Sequence, residues 1–321
     1  MEPTIIIDAI IFGNLLVLLA VGLTLTYITL RIPNFAHGDL ATIGAYVAYF
    51  MYAGLKLSPY LSVPMAFLIS GFVALLSYLI IFKPLLSRGT SIVGLMIASI
   101  ALDVVLRSVL HIYADILSET YKVISRGFIF RDSTVTIGVF GVPCLFIVST
   151  VLSICLIISF YMLLTRTKFG IAMRAAIENP SLAETLGVDV NKVYAVSWFL
   201  AGGLAGIAGV FLPFRMTAGP EIGWFMLLRT FASSILGGFT SIYGAMLGGY
   251  IVGFAEVIGI YFLAKPPFNV PTAFRPALSF IILIVTLLLI PEGLASKIRL
   301  RKIVMFSKNP HRRVKDDNRN S

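Results

Sequence analysis

Residues 165–192 read TRTKFGIAMRAAIENPSLAETLGVDVNK, the one long polar stretch in the second half of an otherwise apolar chain. Arg166, Lys168, Arg174 and Lys192 stand there among Glu178, Glu184 and Asp189. That many charges are too costly at membrane depth, so the segment faces water while its flanks read as membrane. Ser181 and Glu184, just after Pro180, fit an S-x-x-E capping box that opens a short helix. Gly187 supplies a C-terminal stop, and Asp189 caps the helix that follows. Leu182 and Leu186 lie four apart and give that short helix one apolar edge between polar flanks. Such an amphipathic elbow suits a partner's groove, and the same spacing also fits an ordinary capped loop.

The composition agrees with membrane on both sides of the elbow. Hydrophobic residues make up 58% of the 321 and charged residues 12%, about half the charge of a soluble chain. The fold class is therefore all-α: one polytopic transmembrane helical bundle. From Lys297 onward nine basic residues face two acids, which accounts for +7 of the net charge of +10. A basic juxtamembrane tail follows from topology and anionic lipid, so nucleic acid is not implied. Cys144 and Cys155 fall on one expected helix, roughly 16 Å apart at 1.5 Å per residue, too far for a disulfide. Glu2 and Asp8 replace the positive start of a signal peptide, so the N-terminus is expected to stay on the mature chain.

Apolar segments are expected at 9–30, from after the run 34–39 to about 54, and at 60–82, 90–113, 142–164, 193–214, 224–239, 243–264 and 274–290. That gives eight or nine membrane segments, with 224–239 short and either tilted or re-entrant. Residues 133–140 alternate like a short strand. If the N-terminus is outside and every segment crosses, the inner loops and tail hold sixteen basic residues and the outer loops seven. That bias puts the elbow and the C-terminus in the cytoplasm.

Several polar residues fall within these segments. Asp103 and Arg107 are four apart, acid first, the favourable order for a pair on one helix face. Arg229 and Glu256 lie in neighbouring segments and are expected to pair across helices. Asn14, His37 and Asp39 form a further polar group, in which His37 and Asp39 read either as a proton relay or as helix capping. Asn14, His37, Asp39 and Asp103 are the candidate substrate-pathway residues. Small residues recur at fourfold spacing, at Gly202, Gly206 and again at Gly244, Gly248, so that backbones can approach closely. The chain lacks a G-x-x-x-x-G-K-[ST] phosphate loop, an H-E-x-x-H, a metal-spaced His/Cys cluster and a G-x-S-x-G elbow. It carries neither its own ATPase motif nor a metal or catalytic signature.

Longer motifs carry a resemblance. Asn34-Phe-Ala-His-Gly-Asp39 with Gly44-Ala-Tyr46, Lys83-Pro-Leu85, the run from Arg174 to Gly187, the glycine-rich run 236–249 and Pro291-Glu-Gly293 occur in this order. Together they resemble the permease subunits of ABC importers for branched-chain amino acids, the LivH-like group, over nearly the full length. Ile290 departs from the family, whose members usually have Arg before that Pro. The resemblance implies a permease body at 1–296 with a cytoplasmic coupling loop at 165–192, followed by a basic cytoplasmic tail at 297–321. It assigns ATPase coupling to Arg174, Ala175, Ala176, Glu178, Asn179, Pro180, Ser181, Leu182, Ala183, Glu184, Leu186 and Gly187. It implies a multi-pass protein of the plasma membrane that is not an enzyme and binds no cofactor itself, ATP and Mg residing on separate ABC ATPase subunits. The other implied partners are a second permease subunit, identical or related, and an extracytoplasmic substrate-binding protein, with lipid around them. The substrate would be a branched-chain or other small hydrophobic amino acid. The alternative is an ion-coupled secondary transporter using His37, Asp39, Asp103 or Glu256.

Overall fold

The computed structural model describes residues 3–137 and 140–295. The expected basic tail, 297–321, lies outside the described residues. The first membrane helices are α1 (Pro3–Leu30), α2 (His37–Ala53), α3 (Val63–Ser77), which continues through a π turn into α4 (Lys83–Ser87), and α5 (Ile92–Tyr121). A two-stranded antiparallel hairpin, β1 (Thr134–Ile137) and β2 (Phe140–Pro143), precedes α6 (Cys144–Arg166). The alternating stretch expected as one strand is thus most of a hairpin, which lets its backbone groups pair locally. The elbow comprises α7 (Lys168–Glu178) and α8 (Pro180–Thr185), and α9 (Val190–Phe211), α10 (Ile222–Gly237), α11 (Ile242–Leu263) and α12 (Arg275–Leu289) follow.

Seven described helical segments are long and apolar enough to cross a membrane, with α3 and α4 counted as one, Pro59–Ser87. The expectation of eight or nine also included α2 and α10, whose 17 and 16 residues fall short of that length. Both start inside the bundle. α1 and α9 run antiparallel: Asp8 pairs with Arg215 at one end, and the Trp198 indole donates to Thr29 Oγ1 at 3.1 Å near the other. α2 begins level with the middle of α1, where His37 Nε2 lies 3.0 Å from the Leu19 carbonyl oxygen. α10 begins at the same level, because the Gly223 amide donates to Thr42 Oγ1 at 3.0 Å. From there the two separate. The Tyr46 and Tyr49 hydroxyls at the far end of α2 donate to the carbonyls of Ser125 and Ile124. Past the far end of α10, Phe239 stacks on Tyr27 near the opposite end of α1. A long helix, a break and a shorter helix therefore occur twice, the second unit inverted relative to the first.

Glycine makes this crossing possible. A Cβ on Gly44 would sit 2.0 Å from the Gly206 carbonyl oxygen, and one on Gly209 would sit 1.8 Å from that of Ala41. In lipid, such close approach substitutes van der Waals packing for the water expulsion that drives soluble folding. The expected glycine faces do this work: Gly202 and Gly206 meet Ser70 and Ala66 on α3, and Gly249 and Gly253 meet Val17 and Gly13 on α1. Because the obstacle at Gly44 is backbone, Gly44→Ala should destabilise the purified protein by about 1–3 kcal/mol. Gly259→Ala, which meets only a terminal methyl of Leu278 at 2.9 Å, should cost far less. Thermal unfolding in one detergent checks the difference, and equal midpoints for the two variants would contradict it.

Candidate functional sites in the elbow and the bundle

The elbow consists of two capped helices. Thr167 Oγ1 accepts the Gly170 amide at 3.1 Å and starts α7. α8 is capped by Asn179, whose Oδ1 accepts the Leu182 amide at 3.0 Å, with Pro180 in the first turn. This corrects the expected capping box. Ser181 lies within α8, two residues past the cap, and Pro after Asn starts the helix two residues earlier than S-x-x-E implied. The expected stop and restart are present. Gly187 adopts φ 83°, its amide and that of Val188 close back on Glu184 and Ala183, and Asp189 Oδ1 accepts the Lys192 amide at 3.0 Å. That amide bond holds the Asp189 carboxyl below its ordinary pKa.

One side of the elbow packs inward. Met173, Ala176 and Ala183 are buried, while the Arg174 guanidinium donates to the Leu164 carbonyl at the end of α6. Arg31 donates to the Ile177 carbonyl at 3.3 Å and ties the end of α1 to α7. The outer side presents Leu182 at 56% exposure and Leu186 at 75%. Ala175 is half-buried, and Glu178, Pro180, Ser181 and Glu184 are exposed.

Within the bundle the charges form two clusters. Arg107 and Asp103 on α5 pair at 2.5 Å, and Asp39 at the start of α2 lies 3.7 Å from the same guanidinium. The Arg107 guanidinium also sits 4.4 Å above the ring of Trp224 on α10. One turn along α5, His111 lies 3.9 Å from Glu221, next to the start of α10. In the second cluster Glu256 on α11 is 3.1 Å from Arg229 on α10 and 3.0 Å from Arg275 on α12. Ser279 donates to the same carboxylate, and both guanidiniums lie over Phe12 of α1. Each of the three guanidiniums thus has a carboxylate and an aromatic face.

The expected trio of Asn14, His37 and Asp39 is divided among different partners. Asn14 donates to Ser149 at 3.2 Å and Thr150 at 3.0 Å on α6, and accepts from the Tyr250 hydroxyl at 2.8 Å. His37 turns to the Leu19 carbonyl of α1 and Asp39 to Arg107, because Asn14 projects from α1 toward α6 and α11 while α2 starts further along α1, at Leu19. Asp39 and Asp103 do share one cation. Sequence reasoning missed Trp224, Glu221, Arg275 and Ser279. The Asp103, Arg107, His111 spacing was readable as one helix face, whereas contacts from α10 and α12 carry no local signal.

The fold and its internal charges define a multi-pass helical membrane protein rather than a catalytic centre. The family model described as branched-chain amino acid transport system, permease component, matches residues 5–288, and the chain belongs to that family. It is 44% identical over 293 residues to the probable branched-chain amino acid transport permease protein LivH of Methanocaldococcus jannaschii, covering 91% of this chain and 92% of that protein. It is 26% identical to the high-affinity branched-chain amino acid transport system permease protein BraD of Pseudomonas aeruginosa, over 93% of this chain and 97% of the relative. A ribose import permease protein, RbsC of Escherichia coli, is 26% identical over 74% of this chain and 72% of its own length. No solved structure matches this chain. It is a transport permease of the cell membrane, not an enzyme.

Two outcomes follow from this geometry. Asn179→Ala should lower the local stability of α8 by about 1 kcal/mol, while Ser181→Ala changes it little. Amide exchange of residues 182–185 reads the difference, and a larger effect at Ser181 would contradict it. Glu256→Ala leaves two guanidiniums facing each other and should cost about 3–5 kcal/mol. Arg275→Gln, which leaves Glu256 paired with Arg229, should cost less. Unfolding midpoints in detergent measure both, and the reverse order would contradict the assignment.

Proposed function

We propose that this chain is the transmembrane permease subunit of an ATP-binding-cassette importer for branched-chain or similar small hydrophobic amino acids. The observation that carries the reading is the elbow: a short, rigidly capped helix presenting Leu182 and Leu186, held to the ends of α1 and α6 through Arg31 and Arg174. In this reading α8 docks into a groove on an ATPase subunit, which binds the ATP and Mg. Movement there passes through α7 to the two helices whose ends it grips. The N-terminus lies outside and the elbow and tail lie in the cytoplasm, as the sixteen-to-seven distribution of basic residues supports. α2 and α10 then supply two further, incomplete crossings beside the seven long ones, which makes nine. An extracytoplasmic binding protein delivers the substrate, and a second permease subunit completes the pathway.

The substrate class rests on relatives named for branched-chain amino acids, whose coverage is nearly complete, against the ribose permease at three quarters of the chain. Asp39, Asp103 and Arg107 are the pathway candidates, because two carboxylates from different helices share a single cation there, beside Trp224. Asn14 and His37, fully buried with protein partners, act in holding the bundle together. Leu182→Asp and Leu186→Asp should each abolish ATP-driven leucine uptake by the assembled transporter while leaving membrane insertion intact. Wild-type uptake in both variants would refute the docking role.

A further inference from the structure

Beneath the elbow lies a cleft of about 900 Å³, bounded by the ends of α1 and α6, by α7, by the turn before α11 and by residues 292 and 295. By contrast, the void beside Ser153 behind α6 holds about 10 Å³, no more than a water. The cleft's size falls within the range of small-molecule sites. Its walls carry two cations, Arg31 and Arg174, and two anions, Glu178 and Glu292, between the apolar side chains of Ile28, Leu164, Met173 and Ile242.

Arg174 and Glu178 are one helical turn apart, about 6 Å between Cβ atoms, where opposite charges ordinarily pair. They do not pair here. Arg174 is turned back onto the Leu164 carbonyl, and neither glutamate forms an ion pair among the described residues. A guanidinium has five N–H donors, and the bonds to Leu164 and Ile177 leave donors free on both arginines. A cleft with separated, unpaired charges of both signs around an apolar wall fits a ligand that is itself zwitterionic and partly apolar.

We infer that this cleft binds a free amino acid with an apolar side chain at the elbow end of the bundle. Its carboxylate meets Arg31 and Arg174, its ammonium meets Glu178 and Glu292, and its side chain lies on Ile28, Met173 and Ile242. The inference deepens the permease reading and rests on it for the side of the membrane. A cytoplasmic amino acid bound here would brace α7, so the cleft is either where the transported molecule pauses before release or where accumulated product reports to the elbow.

The test is equilibrium binding of radiolabelled leucine to the assembled transporter in nanodiscs, without binding protein or ATP. Leucine should bind saturably. 4-Methylpentanoate, which lacks the ammonium, and 3-methylbutylamine, which lacks the carboxylate, should each bind at least about tenfold more weakly, as expected for one lost charge-assisted contact. Glu292→Gln should weaken leucine about tenfold and leave 4-methylpentanoate unchanged, and Arg31→Gln should do the same for leucine against 3-methylbutylamine. No saturable leucine binding, binding of both analogues as tight as that of leucine, or unchanged leucine affinity in both variants would overturn the inference. ATP-driven uptake by the same preparation separates the two readings: uptake without cleft binding removes only this inference, and absent uptake removes the permease assignment.

Discussion

The structure depends on how closely the backbone of α2 passes α9 and the start of α10. The Gly223 carbonyl oxygen lies 2.5 Å from where a Cβ on Gly38 would be, and the starts of the two shorter helices meet there. In lipid, a chain that leaves its helix must satisfy its freed backbone groups within the protein. The breaks before α2 and α10 are therefore tolerable only inside a bundle tight enough to exclude lipid. Once that approach is granted, other features follow. Asp39 is brought beside Arg107, Trp224 is brought over the same guanidinium, and α1 and α9 become the central pair on which the rest is packed.

The buried charges read differently in that frame. A lone carboxylate at depth would be a strong functional pointer, but Glu256 sits between two guanidiniums and accepts a hydroxyl, which is the chemistry of a fastening. The Asp39, Asp103 and Arg107 cluster is less closed. Two carboxylates, Asp39 and Asp103, share its one cation, which lies one turn from His111. The elbow stands apart from both. Met173, Ala176 and Ala183 join its inner side to the core, and its caps and its ties to α1 and α6 give it a fixed direction.

Most long helices were legible because nearly every turn is apolar and the run ends near a basic residue or a proline. α5 instead continues past the expected end at 113 to Tyr121, because its polar last turns remain helical beyond the apolar run. Gly187 and Asp189 were legible because φ above zero and side-chain capping are local requirements. The start of α8 was misread by two residues, since Asn179-Pro180 stands directly before Ser181-x-x-Glu184 and only the backbone direction selects between them. The shortness of α10 was legible from the length of 224–239. The half-length character of α2 was not, because an apolar stretch reaching 54 satisfies a membrane just as well when the helix starts halfway through it. Nor was the separation of Asn14 from His37, which depends on α1 turning its two polar contacts toward different neighbours.

The central claim is that α8 is a cytoplasmic handle gripped by an ATPase subunit. The direct measurement is cross-linking from a single cysteine at position 186, Leu186→Cys, in a chain with Cys144 and Cys155 replaced by Ser, in oriented vesicles with the complete transporter. The account predicts a cross-link to the P-loop ATPase subunit and labelling of that cysteine only from the cytoplasmic side. Labelling from the extracellular side, or full ATP-driven uptake with no ATPase cross-link from this position, would contradict it.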